Sequence, residues 1–469
     1  MSTALERSEK RRQYMLEGNL LVVIATIAVP MVITMWVDSL YNMADAFFVS
    51  RIGDAAIAAV GVNDSLMMIM RAISMGFGMG SASFISRALG AGRDEDASRA
   101  AVTTLFSAMA VLAVFAVAGS LNLLPLVNFL GATNTVRPYS MDYAKWILLS
   151  APIAAADTVL SQILRAEGNT IYSMIGISTG CIVNLILDPI LINTLGMGVA
   201  GAAIATDISK LASLFILFWP FVRGKCVIHL KPSYFTPTKE IYAEIARMGI
   251  PTMLRTSMMS ISTILINNTA ASFGDAAMAS ISIANKSLRM VASGIMGFSQ
   301  GFQPVAGYSF GAKKYDRVKK AFQYTMSIGA ILGVVLGACL VIFARQIIRI
   351  FSGDDQVMEL GLILIRTQSV TLIPHVWTMI TSGLFQAMGK AMKAGILGLS
   401  RQLFVLIPCV LILPRLFGAA GLASAQAAAD LVSFVVAVCM LVPTFREINA
   451  LERGGIDASA FEFKESDED

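Results

Sequence analysis

The chain has 469 residues, of which 56% are hydrophobic and only 14% charged, against about 25% charged in an ordinary soluble domain. With a mean hydropathy of +0.70, that balance excludes a soluble globular protein. The formal net charge of +5 comes without a basic soluble domain, so nucleic acid is excluded as a partner.

The first residues are strongly charged (Glu6, Arg7, Glu9, Lys10, Arg11, Arg12), and no small-residue cleavage site follows the first apolar run. That run is expected to stay as a helix rather than leave as a signal peptide. A membrane span needs roughly 20 mostly apolar residues. Twelve such stretches are expected, near 19–48, 57–85, 100–124, 141–163, 171–195, 199–222, 245–271, 278–306, 321–345, 360–387, 393–414 and 419–443. They are too long for barrel strands and lack their alternation, so the expected fold is an all-α integral membrane protein. The acidic end, Glu465 to Asp469, reads as a solvated tail.

Basic residues gather at the N-terminus, in the loops after even-numbered spans and at the C-terminus, most densely at Lys313, Lys314, Arg317, Lys319 and Lys320. The positive-inside rule then predicts both termini in the cytoplasm of a cell (inner) membrane. The expected organisation is a cytoplasmic segment 1–18, an N-lobe 19–222, a linker 223–244 with Pro232 and Pro237, a C-lobe 245–445 and a cytoplasmic tail 446–469.

The two lobes repeat each other at a shift of 221 residues. Pro30 aligns with Pro251, Gly53-Asp54-Ala55-Ala56 with Gly274-Asp275-Ala276-Ala277, Gly90-Ala91 with Gly311-Ala312, and Ala166 and Gly168 with Ala387 and Gly389. After a one-residue slip, Gly198 and Gly201 match Gly418 and Gly421. Six spans per half keep both halves in one orientation, related by a pseudo-twofold axis along the membrane normal. Transporters built this way bind between their repeats and rock one against the other.

The five cysteines form no CxxC and read as apolar fillers. No HExxH, Walker loop, GxSxG or Cys/His metal spacing is present, which argues against an enzyme and against a cofactor. Chemistry must sit on polar residues inside the spans, where they are costly and face the interior. The first span has Asp38 and Asp45 on one face. The fifth has Asn184 and Asp188 four apart, followed by Pro189, which frees a carbonyl one turn earlier. Thr206 lies in the sixth span, and Tyr143 and Asp157 in the fourth.

The repeat supplies a control. Asp45 becomes Ile266, Asp38 Met259, Asn184 Val405, Asp188 Cys409, Tyr143 Leu364 and Thr206 Gln426. A purely structural role should recur in both halves; this cluster does not, so it marks a functional site in the first. The second half carries Arg255, Lys286, Arg289, Arg366 and Arg401 instead, with Asp430 available to pair with one of them. Arg255 and Arg289, with Asp38, Asp157 and Met259, are candidates to line a substrate cavity. Methionine clusters such as Met67-Met68 suit promiscuous apolar binding as well as plain packing.

At these residues the chain resembles the multidrug and toxic compound extrusion (MATE) family, in its prokaryotic branch related to the DNA-damage-inducible proteins. The resemblance rests on Pro30 with Leu40-Tyr41-Asn42-Met43-Ala44-Asp45, Arg165-Ala166-Glu167-Gly168-Asn169, Asn184-Leu185-Ile186-Leu187-Asp188-Pro189, Gly198-Val199-Ala200-Gly201, and Pro304-Val305-Ala306-Gly307-Tyr308. It implies twelve helices in two six-helix lobes and a coupling-ion site at Asp45, Asn184, Asp188, Thr206 and Tyr143. Sodium would be held at Asp45, Asn184, Asp188 and Thr206. Another branch has carboxylates in the seventh and tenth helices; here those positions fall near Met259 and Trp377.

The expected function is secondary active efflux of drugs or metabolites, with amphipathic organic cations as the expected substrates, by antiport with H⁺ or Na⁺ in a monomer that alternates access. A buried carboxylate favours its neutral form and so takes up protons, while hard oxygens from Asn184 and Thr206 suit a small cation. A lipid-linked precursor flippase is the alternative, and an integral membrane transferase a third reading.

Overall fold

The computed structural model describes residues 2–49 and 54–453, without the side chains of residues 2–5, 7, 42–49, 54, 55, 57 and 275. The acidic tail lies outside the described residues. Every regular element among those described is helical. That follows from the apolar runs, since lipid leaves backbone groups no other partner than their own helix.

The charged N-terminal segment forms helix α1 (Ser2–Glu17). The first half then runs through α2 (Leu20–Val49), α3 (Asp54–Gly90), α4 (Asp94–Leu121), the short α5 (Leu123–Phe129), α6 (Arg137–Leu149), α7 (Ala151–Ala166), α8 (Thr170–Pro189) and α9 (Gly198–Val222). A single 3₁₀ turn at Pro232–Tyr234 interrupts the connection to the second half. There follow α10 (Lys239–Ala271), α11 (Asp275–Gly311), α12 (Tyr315–Phe351), α13 (Asp355–Val370), α14 (Leu372–Ala387), α15 (Ala391–Leu399) and α16 (Ile407–Glu452).

Among the described residues, seven helices are long and apolar enough to cross a membrane by length and composition alone, and nine if each bent pair is one span. The bent pairs are α6 with α7, at 51°, and α13 with α14, at 47°. Their breaks, at Ser150 and Thr371, are equivalent under the repeat. The final helical stretch holds two spans, because Gly418 breaks it with φ 61° and ψ −144°. The other two spans, α10 and α11, are diluted by the Ser, Thr, Lys and Glu residues they carry. Together these make the twelve-helix, two-lobe architecture.

The repeat is written into the backbone as well as the sequence. Gly168 and Gly389 both have positive φ, as do Gly198 and Gly418. Gly92 (φ 80°) corresponds to Lys313, the one non-glycine among the described residues with positive φ, at 57°. The matched prolines Pro30 and Pro251 both sit inside helices. At Pro30, the Thr34 hydroxyl donates to the Pro30 carbonyl at 2.7 Å.

The halves pack along two crossings related by the pseudo-twofold axis, α2 on α11 and α3 on α10. Glycine makes both possible. A Cβ on Gly249 would stand 2.6 Å from the Gly76 carbonyl oxygen, and one on Gly297 would stand 2.7 Å from Val32 Cα. Gly80 meets the Ile245 carbonyl, Gly301 meets Ala28, Gly90 meets Tyr308 and Gly311 meets Arg87 just as closely. The Gly90–Tyr308 and Gly311–Arg87 contacts shut the cleft at their end of the seam, and this closed end is strapped by α1, whose Met15 carbonyl accepts from Arg317 at 3.1 Å, as does that of Gly18, just beyond it, at 2.8 Å. Ser8 of α1 also hydrogen-bonds Asp94.

Candidate functional site

Within the first half, the α8 and α9 faces bring three of the expected residues together. Asp188 is fully buried and Asn184 nearly so. With its amide nitrogen toward the carboxylate, Asn184 donates to Asp188 Oδ2 at 2.9 Å and accepts from the Thr206 backbone N–H at 3.2 Å. The opposite orientation would set amide oxygen against carboxylate oxygen. The Thr206 hydroxyl donates to the Ala202 carbonyl at 3.0 Å, which leaves its lone pairs turned away from its own helix. The four-residue spacing of Asn184 and Asp188 puts both on one face, and Pro189 ends the regular turn. The chain then continues as a π-helix, Ile190–Thr194, of the kind often found beside functional sites.

Tyr143 is buried on α6 with its hydroxyl 3.6 Å from Met67 Sδ of α3. Asp45 lies on α2, but its side chain is outside the described residues.

The other two acidic candidates have cationic partners. Asp38 of α2 meets Arg71 of α3 at 3.4 Å, with 33% and 64% of the side chains exposed. On the same two helices, Met68 of α3 accepts from Ser260 and the Trp36 indole of α2 donates to the Met290 carbonyl, both across the halves. Asp157 of α7 is buried and accepts from Lys210 of α9 at 3.3 Å. Sequence reasoning had singled out neither Arg71 nor Lys210. Both carried a usable signal, a basic residue in the middle of an apolar span.

The second half is organised differently. Asp430 of α16 accepts from Arg401 Nε at 2.6 Å and lies 3.1 Å from His375 Nδ1 of α14. Arg401 stands in a second π-helix, Ser400–Leu406. Arg255 is half-buried on α10, its side chain 2.8 Å from where a Cβ on Gly398 would stand. Met259, exposed and four residues further along the same helix, shares the face of Arg255, while Arg289 is exposed on α11. Among the described residues, no group of three His, Cys, Asp or Glu side chains comes together as a metal site.

At the closed end a further carboxylate is buried. Glu167, in the turn after α7, accepts from the Val227 N–H at 2.7 Å and from Asn169 Nδ2 at 2.9 Å. The Tyr308 hydroxyl of the other half donates to its backbone carbonyl at 3.2 Å. Burial pushes the carboxyl up to about 7, against the pull of Arg11 and the linker N–H groups. Burial also pushes up the neighbouring Cys226 thiol.

Two crossed lobes with one polar cluster in the first match a known family. The MatE family model matches residues 30–190 and 251–412, once in each half. The chain belongs to the MatE family. Multidrug export protein MepA of Staphylococcus saprophyticus is 29% identical over 84% of this chain and 87% of its own length. The same protein of Staphylococcus haemolyticus is 28% identical over 87% and 90%. Among solved structures, an outward-facing multidrug resistance MATE family transporter of the MOP superfamily superposes with a TM-score of 0.85 at 29% identity. It covers 94% of this chain and 98% of its own. A MOP superfamily transporter from Pyrococcus furiosus, whose binding pocket is described as of reverse polarity, superposes with a TM-score of 0.83 at 29% identity, over the same shares. This MATE chain is thus a multi-pass membrane transporter and not an enzyme.

Proposed function

We propose that this chain is a secondary active multidrug or metabolite exporter, driven by antiport with H⁺ or Na⁺ bound in the N-lobe. The observation that carries the reading is the buried Asn184–Asp188–Thr206 set, which has no counterpart in the second half. Asp188 supplies the charge, Asn184 and Thr206 supply neutral oxygens, and Asp45 and Tyr143 complete the site from α2 and α6. A proton or a sodium ion arriving there alters the charge balance between α2 and α8. Bending of α2 at Pro30 transmits that change to the cleft between the lobes.

In this reading the lobes span 19–222 and 245–445, joined by a cytoplasmic linker, with both termini in the cytoplasm and the closed end facing inward. The chain works as a monomer by alternating access. Asp38 with Arg71, and Met259, lie along the substrate path, which suits amphipathic organic cations. Arg401 is already neutralised by Asp430, so the C-lobe offers less net positive charge than its arginine count suggests. That weighs against an anionic lipid-linked precursor.

The test is efflux of a fluorescent organic cation from proteoliposomes under an imposed pH or sodium gradient. Wild type should respond to one gradient, and Asp45→Asn and Asp188→Asn should each abolish that response. Gradient-driven efflux that survives both substitutions overturns the reading.

A further inference from the structure

The closed end contains a polar pocket that the transport reading does not use. It lies on the pseudo-twofold axis, walled by α3 (Ser83, Ser86), α7 (Gln162, Arg165), α11 (Gln300, Gln303) and α14 (Gln386). Arg165 is 7% exposed. Its Nε donates to Ser173 Oγ and its Nη1 to Gln300 Oε1, each at 3.0 Å. Both acceptors are neutral. Nη2 makes no hydrogen bond among the described residues, and no carboxylate there lies within 4.0 Å of the guanidinium. Asp157 and Asp38, the charges that act on Arg165 from further away, are engaged with Lys210 and Arg71.

A full charge buried against neutral groups alone is expensive. The pocket holds more unpartnered amide atoms. The Gln303 amide makes no hydrogen bond among the described residues, and Gln386 Oε1 is buried without a partner. Turning the Gln386 amide over would keep its 3.3 Å bond to Ser382, with the hydroxyl now donating. Its N–H would then face the pocket. Arg165 and Gln386 are themselves equivalent under the repeat, so the cation has been kept in one half only.

The geometry points to a binding site for a small monovalent inorganic anion, chloride being the abundant one, held by Arg165 Nη2 with the Gln303 and Gln386 amides. The anion supplies the charge that no protein side chain supplies. Because the walls come from both halves, the site exists only while this end is shut.

Thermal unfolding of the purified protein in detergent tests this, with sodium gluconate replaced stepwise by sodium chloride at constant ionic strength. Wild type should show a saturable rise of a few degrees in the unfolding midpoint. Arg165→Gln should lose it. Gln303→Leu, which leaves the arginine and its bonds intact, should weaken it and serves if Arg165→Gln fails to fold. In crystals grown with bromide, an anomalous peak should stand beside Arg165. Identical midpoints in the two salts, a chloride response retained in Gln303→Leu at full strength, or a bromide map without that peak each overturn the site.

Discussion

Replacing Glu167 by Gln should remove a pH dependence from the stability of the whole closed end. The carboxyl's ordinary value of 4.5 is raised to about 7 by burial. Below the lower value the side chain is neutral whether the chain is folded or not, and it costs nothing. As pH rises through the window between them, the unfolded chain ionises freely while the folded one resists, so stability falls. A tenfold difference in proton affinity between the two states is worth about 1.4 kcal/mol, which makes the loss about 3 kcal/mol once pH passes 7. Gln keeps an oxygen for the Val227 and Asn169 N–H groups but never ionises. Unfolding of wild type and Glu167→Gln, measured in detergent in steps from acid to mildly alkaline pH, should coincide at the acid end. The variant should draw ahead as pH approaches 8. Parallel curves across the range would refute the argument, because they would mean the buried carboxylate is not resisting ionisation.

Asp430→Asn should strand Arg401 without a counter-charge and cost about 3–5 kcal/mol in unfolding free energy; replacing Asp430 and Arg401 together by apolar residues should recover much of it. Gly297→Leu places side-chain atoms into the Val32 backbone and should force α2 off α11, read as lengthened distances between spin labels across the closed end. Lys313→Gly should raise stability by up to about 1 kcal/mol, since its positive φ is the conformation Gly92 adopts in the first half; unchanged or lower stability would show that the lysine side chain matters more than the strain.

Features governed by local chemistry were legible in the sequence, and features made by meeting across space were not. The twelve spans, the prolines inside α2 and α10, and the break near Gly418 all follow from apolar runs and from residues with restricted or unusual backbone freedom. Asn184 and Asp188 were legible because four-residue spacing guarantees a shared face, and the expected Asp430 partner is Arg401. The Asp38–Arg71 pair joins different helices, and no periodicity predicts which cation meets which carboxylate. The same holds for the bond from Arg165 to Gln300, 135 positions away. Neither the π-helix at Ser400–Leu406 nor the strap formed by α1 had a sequence mark, since the first depends on packing against α10 and α16 and the second on carbonyls offered to Arg317.

The glycine-lined seam has a consequence for tempo. Where backbone lies directly on backbone, there are few interlocking side chains to withdraw and few rotamers to reset before two surfaces slide or part. Resistance to opening is then concentrated in a handful of discrete bolts across the seam: Arg165 to Gln300, Tyr308 to the Glu167 carbonyl, Arg87 to Glu244, and Ser83 to the Gln386 carbonyl. If the lobes alternate access as proposed, a smooth track with few bolts makes the speed of that cycle adjustable one hydrogen bond at a time, without redesigning the surface on which it runs.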